Sequence, residues 1–212
     1  MKIRWLGHSC IEIIGKKHIL VDPDYLVEPM PDVDYICITH GHRDHFGKVA
    51  KLETGKIIAS SDVCEIARKE GVKEERLIEA KPGDKIENIR VLKGYSPTGF
   101  FVELIGKLMG AGSDLPGGTP LAFIIEDDLS ILHLGDGLKV DGDFSVDVLC
   151  LPYMRFMTRK AVKLANDINP KYIIPIHFDT PRSISPEKIK ESVTAEVIIP
   201  KEFMELTGKE SI

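Results

Sequence analysis

Between His40 and His45 the chain gathers three imidazoles and one carboxylate into six residues, His40-Gly41-His42-Arg43-Asp44-His45, with Thr39 just before them. Neutral imidazole and carboxylate are the donors that Zn2+ and similar divalent ions take, at about 2.0–2.2 Å, and a catalytic site keeps one position for water. An apolar, strand-like run at residues 35–39 leads into the cluster. Side-chain direction in a strand repeats every two residues, so His40 and His42 project to one side, and a following turn can bring Asp44 and His45 to a neighbouring point. A solvated loop rich in histidine by chance is the competing reading. Two later segments share one form, a buried strand ending in a ligand-type residue: 130–134 leads to Asp136, and 172–176 leads to His177. Alone, Asp136 before Gly137 also fits a turn aspartate, and His177 also fits a core histidine. Beside the histidine cluster both become candidate ligands, because functional groups in layered α/β proteins collect at strand ends.

The elements that must position these groups are short. Residues 2–6, 10–14 and 18–21 read as strands, with a Gly15-Lys16-Lys17 turn and Asp22-Pro23 closing the third. Asp62 and Glu65 make a capping-box-like helix start, with Val63, Ile66 and Ala67 on one side and Gly71 placed to end it. Residues 121–126 and 130–134 form a hairpin about Asp127-Asp128, and 147–151 is a buried strand. Thr158 caps a helix whose Ala161, Leu164, Ala165 and Ile168 keep helical spacing until Asn169-Pro170. Strand 172–176, a short helix with Ser185 as cap and Pro186 at its first position, and strand 196–199 follow. Helices between strands predict a layered α/β arrangement in a single domain over 1–212. Residues 94–120, with seven glycines and three prolines, read as an insertion that is a lid, an oligomer contact or a hairpin with a long surface loop.

Composition narrows the function classes. With 43% hydrophobic and 29% charged residues, the chain is neither disordered, collagen-like nor a disulfide-dense miniprotein. A net charge of -5 gives no basic field for phosphate backbones, so nucleic acid is disfavoured as a partner and a small-molecule substrate is expected. Apolar runs stop far short of the roughly 20 residues of a membrane span, and the N-terminus is strand-like, so no membrane partner and a cytoplasmic location are expected. A homo-oligomer stays open. Cys10, Cys37, Cys64 and Cys150 stand apart without a C-x-x-C pair and read as buried free thiols. Glutamine is absent and asparagine occurs only at 88, 166 and 169, a pattern of thermophile proteins.

At this point the residues resemble the metallo-β-lactamase-fold hydrolases. The H-x-H-x-D-H signature is matched at His40, His42, Asp44 and His45. Asp22 in Ile19-Leu20-Val21-Asp22-Pro23, Asp136 in Leu134-Gly135-Asp136 and His177 in Pro175-Ile176-His177-Phe178-Asp179 are similar to the family's other site residues. The opening Leu6-Gly7-His8-Ser9-Cys10, with the 147–152 and 170–177 strands, looks most like the small branch that includes ascorbate-6-phosphate lactonase. The resemblance implies an α/β (α+β) fold, a four-layer αββα sandwich, with a dinuclear site at one edge of the two sheets. In that pattern His40 and His42 hold the first metal, Asp44, His45 and His177 hold the second, and Asp136 bridges them. Zinc is the implied ion, one or two of them, with manganese or iron as other candidates. Asp22 would accept a hydrogen bond from a ligand histidine and fix its tautomer.

The implied activity is hydrolysis of a small anionic ester, lactone or phosphoester by metal-activated water, with Asp44 and Asp136 as the catalytic carboxylates. A metal-dependent nuclease or phosphodiesterase is one alternative, and a degenerate member that binds metal without turnover is another. One departure motivates the latter. Residues 46–132 contain no histidine, where a third ligand of the first metal is expected near Gly94-Tyr95-Ser96. Tyr95 or Ser96 then stands at that place, and a neutral hydroxyl is a poorer zinc ligand than imidazole. His8 either approaches the groove or is an ordinary turn histidine. Tyr153, Arg155 and Arg159 either meet an anionic substrate group or form a solvated helix start. Strand alternation relative to Asp136 sends His133 to the core or behind the ligands, and His18 is expected to be exposed in its hairpin.

Overall fold

The computed structural model describes residues 1–95, 117–142, 145–179, 184–199 and 204–205. Ser96 and most of the 94–120 insertion lie outside the described residues. In chain order the strands are β1 (Lys2–Gly7), β2 (Cys10–Ile14), β3 (His18–Val21), β4 (Tyr35–Cys37), β5 (Lys56–Ala59), β6 (Leu77–Glu79), β7 (Lys85–Ile86), β8 (Ile89–Lys93), β9 (Leu121–Glu126), β10 (Ser130–His133), β11 (Val148–Pro152), β12 (Tyr172–Ile176), β13 (Glu196–Val197) and β14 (Met204–Glu205). The helices are α1 (Arg43–Phe46), α2 (Ser61–Lys69) and α3 (Thr158–Ile168). One sheet has the order β14-β1-β2-β3-β4-β5-β6 and the other β13-β12-β11-β10-β9-β8-β7.

Period-two alternation explains why these sheets stack. Ile19 and Val21 of β3, Cys37 of β4 and Ile58 of β5 face the second sheet, whose Leu121, Phe123, Ile125, Ile131, Val148, Cys150 and Ile174 meet them in one core. The intervening residues point outward. Leu20, Ile36 and Ile57 pack under Val63, Cys64 and Ala67 of α2, while Leu149, Leu151 and Ile173 pack under Ala161, Leu164 and Ala165 of α3. Three cores between four layers make an αββα sandwich. Each fully buried aliphatic side chain contributes roughly 1.5–3 kcal/mol, so a one-residue slip in any of these strands would exchange two cores at once. All four cysteines are buried and unbridged.

Several local expectations change. Asp62 does not cap α2: Ser60 occupies the N-cap, and Asp62 instead accepts the N–H and hydroxyl of Thr119, at 2.7 and 2.9 Å. Thr158 is the first residue of α3 rather than its cap, which is Met157, and the helix ends at Asn169 in a left-handed conformation. His18 is not exposed, because its ring turns onto the buried carboxylate of Glu12, Nε2 to Oε1 2.8 Å. Strands β5, β6 and β7 were not anticipated from the sequence. No helix among the described residues is long and apolar enough to cross a membrane.

Candidate metal centre

Strands β3 and β4 run parallel, as do β10, β11 and β12, so their C-terminal ends meet at one edge of the sandwich. β3 delivers Asp22, β4 delivers Thr39 to His42, β10 delivers Asp136 through Gly135, and β12 delivers His177. The turn after β1 adds His8 and Ser9. Backbone bonds tie the two sheets together here, from His177 N–H to the His8 carbonyl at 3.0 Å and from Leu121 N–H to the Thr39 carbonyl at 2.8 Å. Asp22, His8 and His177 all take positive φ, between 49° and 59°, a conformation that costs a non-glycine residue about 1–3 kcal/mol and gathers at functional sites.

Four donor atoms converge at the centre. Asp136 Oδ1 stands 3.0 Å from His177 Nε2 and 3.2 Å from His45 Nε2, and Asp44 Oδ2 stands 3.9 Å from His45 Nε2. Beside them, His40 Nε2 lies 3.7 Å from Asp136 Oδ2 and 3.0 Å from His42 Nδ1. Two donor triplets, His40-His45-Asp136 and Asp44-His45-His177, each lie within 4.8 Å of one another. His40, His45 and His177 are buried, and only the Asp44 carboxylate is substantially open to solvent.

Asp22 sets the orientation of His45. Fully buried, it accepts His45 Nδ1–H at 2.7 Å and both the N–H and the hydroxyl of Thr39 at 2.8 Å, leaving Nε2 as the His45 nitrogen that faces Asp136. Burial alone would raise the Asp22 carboxyl, but the charge and hydrogen bond of His45 outweigh it and hold it ionised. Burial likewise opposes ionisation of Asp136, and His45 and His177 overcome it, pulling its pKa well below the carboxylate norm. Desolvation would lower His45, yet Asp136 and Asp22 on its two nitrogens raise it strongly. The space between His45 Nε2 and Asp136 Oδ1 is thus built for positive charge. Burial, then the neighbouring His45, pushes His40 down to about 3, so this ring stays neutral, the form that ligates.

The other candidates named from the sequence fall into place differently. His8 lies beside the centre, where Asp179 Oδ2 accepts its backbone N–H at 2.9 Å and stands 3.0 Å from its Nδ1. His133 is wholly buried behind the ligands: its Nε2–H donates to the Ser9 carbonyl at 2.9 Å and its Nδ1 accepts Gly135 N–H at 3.2 Å. Tyr95 does not stand in for a ligand, since its hydroxyl bonds Asp141 and its ring faces the Lys93 and Lys139 ammoniums. Tyr153 is withdrawn from any substrate, being 3% exposed in the core under α3. Arg155 and Arg159 are exposed just beyond β11.

Sequence reading passed over Thr39, Ser9, Asp179 and two glycines. Thr39 and Ser9 touch His45, but small hydroxyls beside a histidine cluster carry no pattern of their own. A Cβ on Gly135, at φ 59°, would stand 2.6 Å from Thr39 Oγ1, and one on Gly117 would stand 2.8 Å from His42 Nε2. These close approaches require glycine.

The fold and donor set define a β-lactamase superfamily protein, and the chain belongs to that family: the model for the β-lactamase superfamily domain matches residues 2–177. More narrowly, it belongs with the UPF0173 proteins. It is 32% identical to a UPF0173 metal-dependent hydrolase of Thermococcus onnurineus, over 97% of this chain and 100% of that one. It is 31% identical to one of Thermoplasma acidophilum, over 95% and 96%. Among solved structures, a metallo hydrolase of the hyperthermophilic archaeon Ignicoccus hospitalis superposes with TM-score 0.71 at 19% identity, covering 97% of this chain and 99% of that one.

Proposed function

We propose that the protein is a metal-dependent hydrolase of small anionic esters, lactones or phosphoesters, with zinc as its ion. One observation carries the reading: Asp136 Oδ1 stands 3.0 and 3.2 Å from the Nε2 atoms of His177 and His45, among charges that favour a cation. The metal-dependent hydrolases named above support it. A bound divalent ion supplies Lewis-acid polarisation of the substrate oxygen and lowers the pKa of water. The chain's residues do the rest. Asp22 holds His45 in one tautomer, and the buried rings of His40, His45 and His177 exclude bulk water from one wall. Asp44, open at the mouth, can give one carboxylate oxygen to the ion and keep the other for the proton of the attacking water. Arg155 and Arg159, beyond the same strand ends, can meet an anionic group by charge-assisted hydrogen bonds.

The test is hydrolysis of p-nitrophenyl esters, aliphatic and phosphorylated lactones and phosphate esters by metal-free protein reloaded with Zn2+ or Mn2+. Turnover that needs metal and disappears in Asp136→Ala is the expected result. Inertness toward every ester, lactone and phosphoester despite bound metal would sink the hydrolase reading in favour of a binding protein. Efficient cleavage of RNA at moderate salt would reverse the preference for small substrates.

A further inference from the structure

We propose that this chain holds one divalent cation, among Asp44, His45, Asp136 and His177, and that Tyr95 is the position that withholds a second. The proposal rests on the metal-centre reading and fixes its nuclearity. A tetrahedron with bonds of about 2.1 Å has edges of roughly 3.4 Å. Asp136 Oδ1 lies 3.0 Å from His177 Nε2 and 3.2 Å from His45 Nε2, and Asp44 Oδ2 is 3.9 Å from His45 Nε2. Small rotations of the exposed Asp44 side chain bring its carboxylate to the set, and expansion to five donors keeps one position for water. The buried His45 and His177 and the half-buried Asp136 already face one another, His45 oriented by Asp22.

The neighbouring position is poorer. Its donors are His40 Nε2, His42 Nδ1 and Asp136 Oδ2, the last belonging to a carboxylate already committed to the first ion. His40 and His42 point their nitrogens at each other across 3.0 Å. Among the described residues His42 enters neither of the donor triplets. A Cβ on Gly117 would stand 2.8 Å from the far nitrogen of His42, so this loop passes close to the ring.

Residue 95 decides the matter. Its carbonyl oxygen would lie 2.9 Å from a Cβ on Gly137, next to Asp136, so its backbone borders the groove. The side chain is engaged elsewhere. The hydroxyl bonds Asp141, and the Lys139 and Lys93 ammoniums lie 4.4 and 5.0 Å from the ring centroid. A position flanking the centre therefore offers no side-chain donor to it, because the one it carries is turned onto Asp141.

The experiment is Zn2+ content by elemental analysis of the full chain, loaded with excess Zn2+ and gel-filtered without chelator, beside four variants whose folding is checked by circular dichroism. We expect one equivalent in the wild type and in His42→Ala, close to none in His177→Ala, and weakened retention in Asp44→Asn, whose exposed side chain leaves the fold intact. Tyr95→His should gain a second equivalent. Two equivalents in the wild type, one of them lost in His42→Ala, would overturn the proposal, and a Tyr95→His protein still at one would overturn the role of Tyr95. A wild type that binds no Zn2+ would instead overturn the metal-centre reading beneath it.

Discussion

His177 donates its backbone N–H to the carbonyl of His8 at 3.0 Å, and both residues sit in the left-handed region, at φ 59° and 49°. The bond joins the end of β12 in one sheet to the turn after β1 in the other. Asp179 stabilises the strained turn by accepting His8 N–H and facing His8 Nδ1. Asp179→Asn should lower kcat by about 10–100-fold, the usual cost of losing a partner that orients a metal site. Zn2+ stoichiometry should stay unchanged. Steady-state kinetics with parallel metal analysis checks this, and loss of the metal along with activity would show instead that Asp179 holds His177 in place.

A second expectation concerns Asp22. With three hydrogen bonds and no exposure, it fixes the tautomer of His45 through a 2.7 Å contact. Asp22→Asn keeps the shape but removes the charge, and an amide can present its N–H2 to His45, favouring the wrong tautomer. Zn2+ affinity should fall about 10–100-fold, read by competition against a chromophoric chelator. Unchanged affinity would mean that His45 is positioned by packing alone.

How much of this was legible in the sequence depended on distance along the chain. His40 to His45 form one local run, so their convergence follows from strand alternation and a turn. Asp136 and His177 were readable because each ends a strongly apolar strand. The Asp179 clamp on His8 joins residues 171 positions apart, and nothing in either local sequence announces it. β6 and β7 were missed because they are short, half-buried pieces with little apolar signal. Tyr95 shows the opposite limit: its position beside the groove was readable, while the direction of its ring was set by Asp141, Lys93 and Lys139.

Gly135 carries a stability prediction. An alanine there would be held at φ 59° with its Cβ 2.6 Å from Thr39 Oγ1, whereas one at Gly71, φ 89°, meets nothing within 4 Å. Both substitutions carry the left-handed penalty of roughly 1–2 kcal/mol. Only Gly135→Ala adds the clash, so it should cost about 1–3 kcal/mol more in urea denaturation. Equal costs would show that Thr39 moves aside freely.

The last expectation lies away from the metal. Glu12, buried on the outer face of its sheet, meets Arg4 at 2.5 Å, His18 Nε2 at 2.8 Å and the Met30 N–H at 2.7 Å. Burial alone would raise Glu12 and lower His18. The contacts with His18, the Met30 N–H and Arg4 reverse this for Glu12, lowering it from 4.5, and Glu12, with the Asp32 backbone and Asp34, reverses it for His18, raising it from 6.5. A raised imidazole contributes stability that is full below 6.5 and fades as pH rises through its higher folded value. A lowered carboxyl contributes stability that is full above 4.5 and fades as pH falls through its lower folded value. Both act together between 4.5 and 6.5. Glu12→Gln removes the carboxylate from the buried Arg4 charge, a loss of about 3 kcal/mol or more. The difference in unfolding free energy between wild type and Glu12→Gln should therefore peak in that window and shrink above neutrality as His18 loses its proton. A difference that stays flat from pH 5 to 9 would show that Arg4 alone supports Glu12, and that His18 acts only as a neutral hydrogen-bond donor.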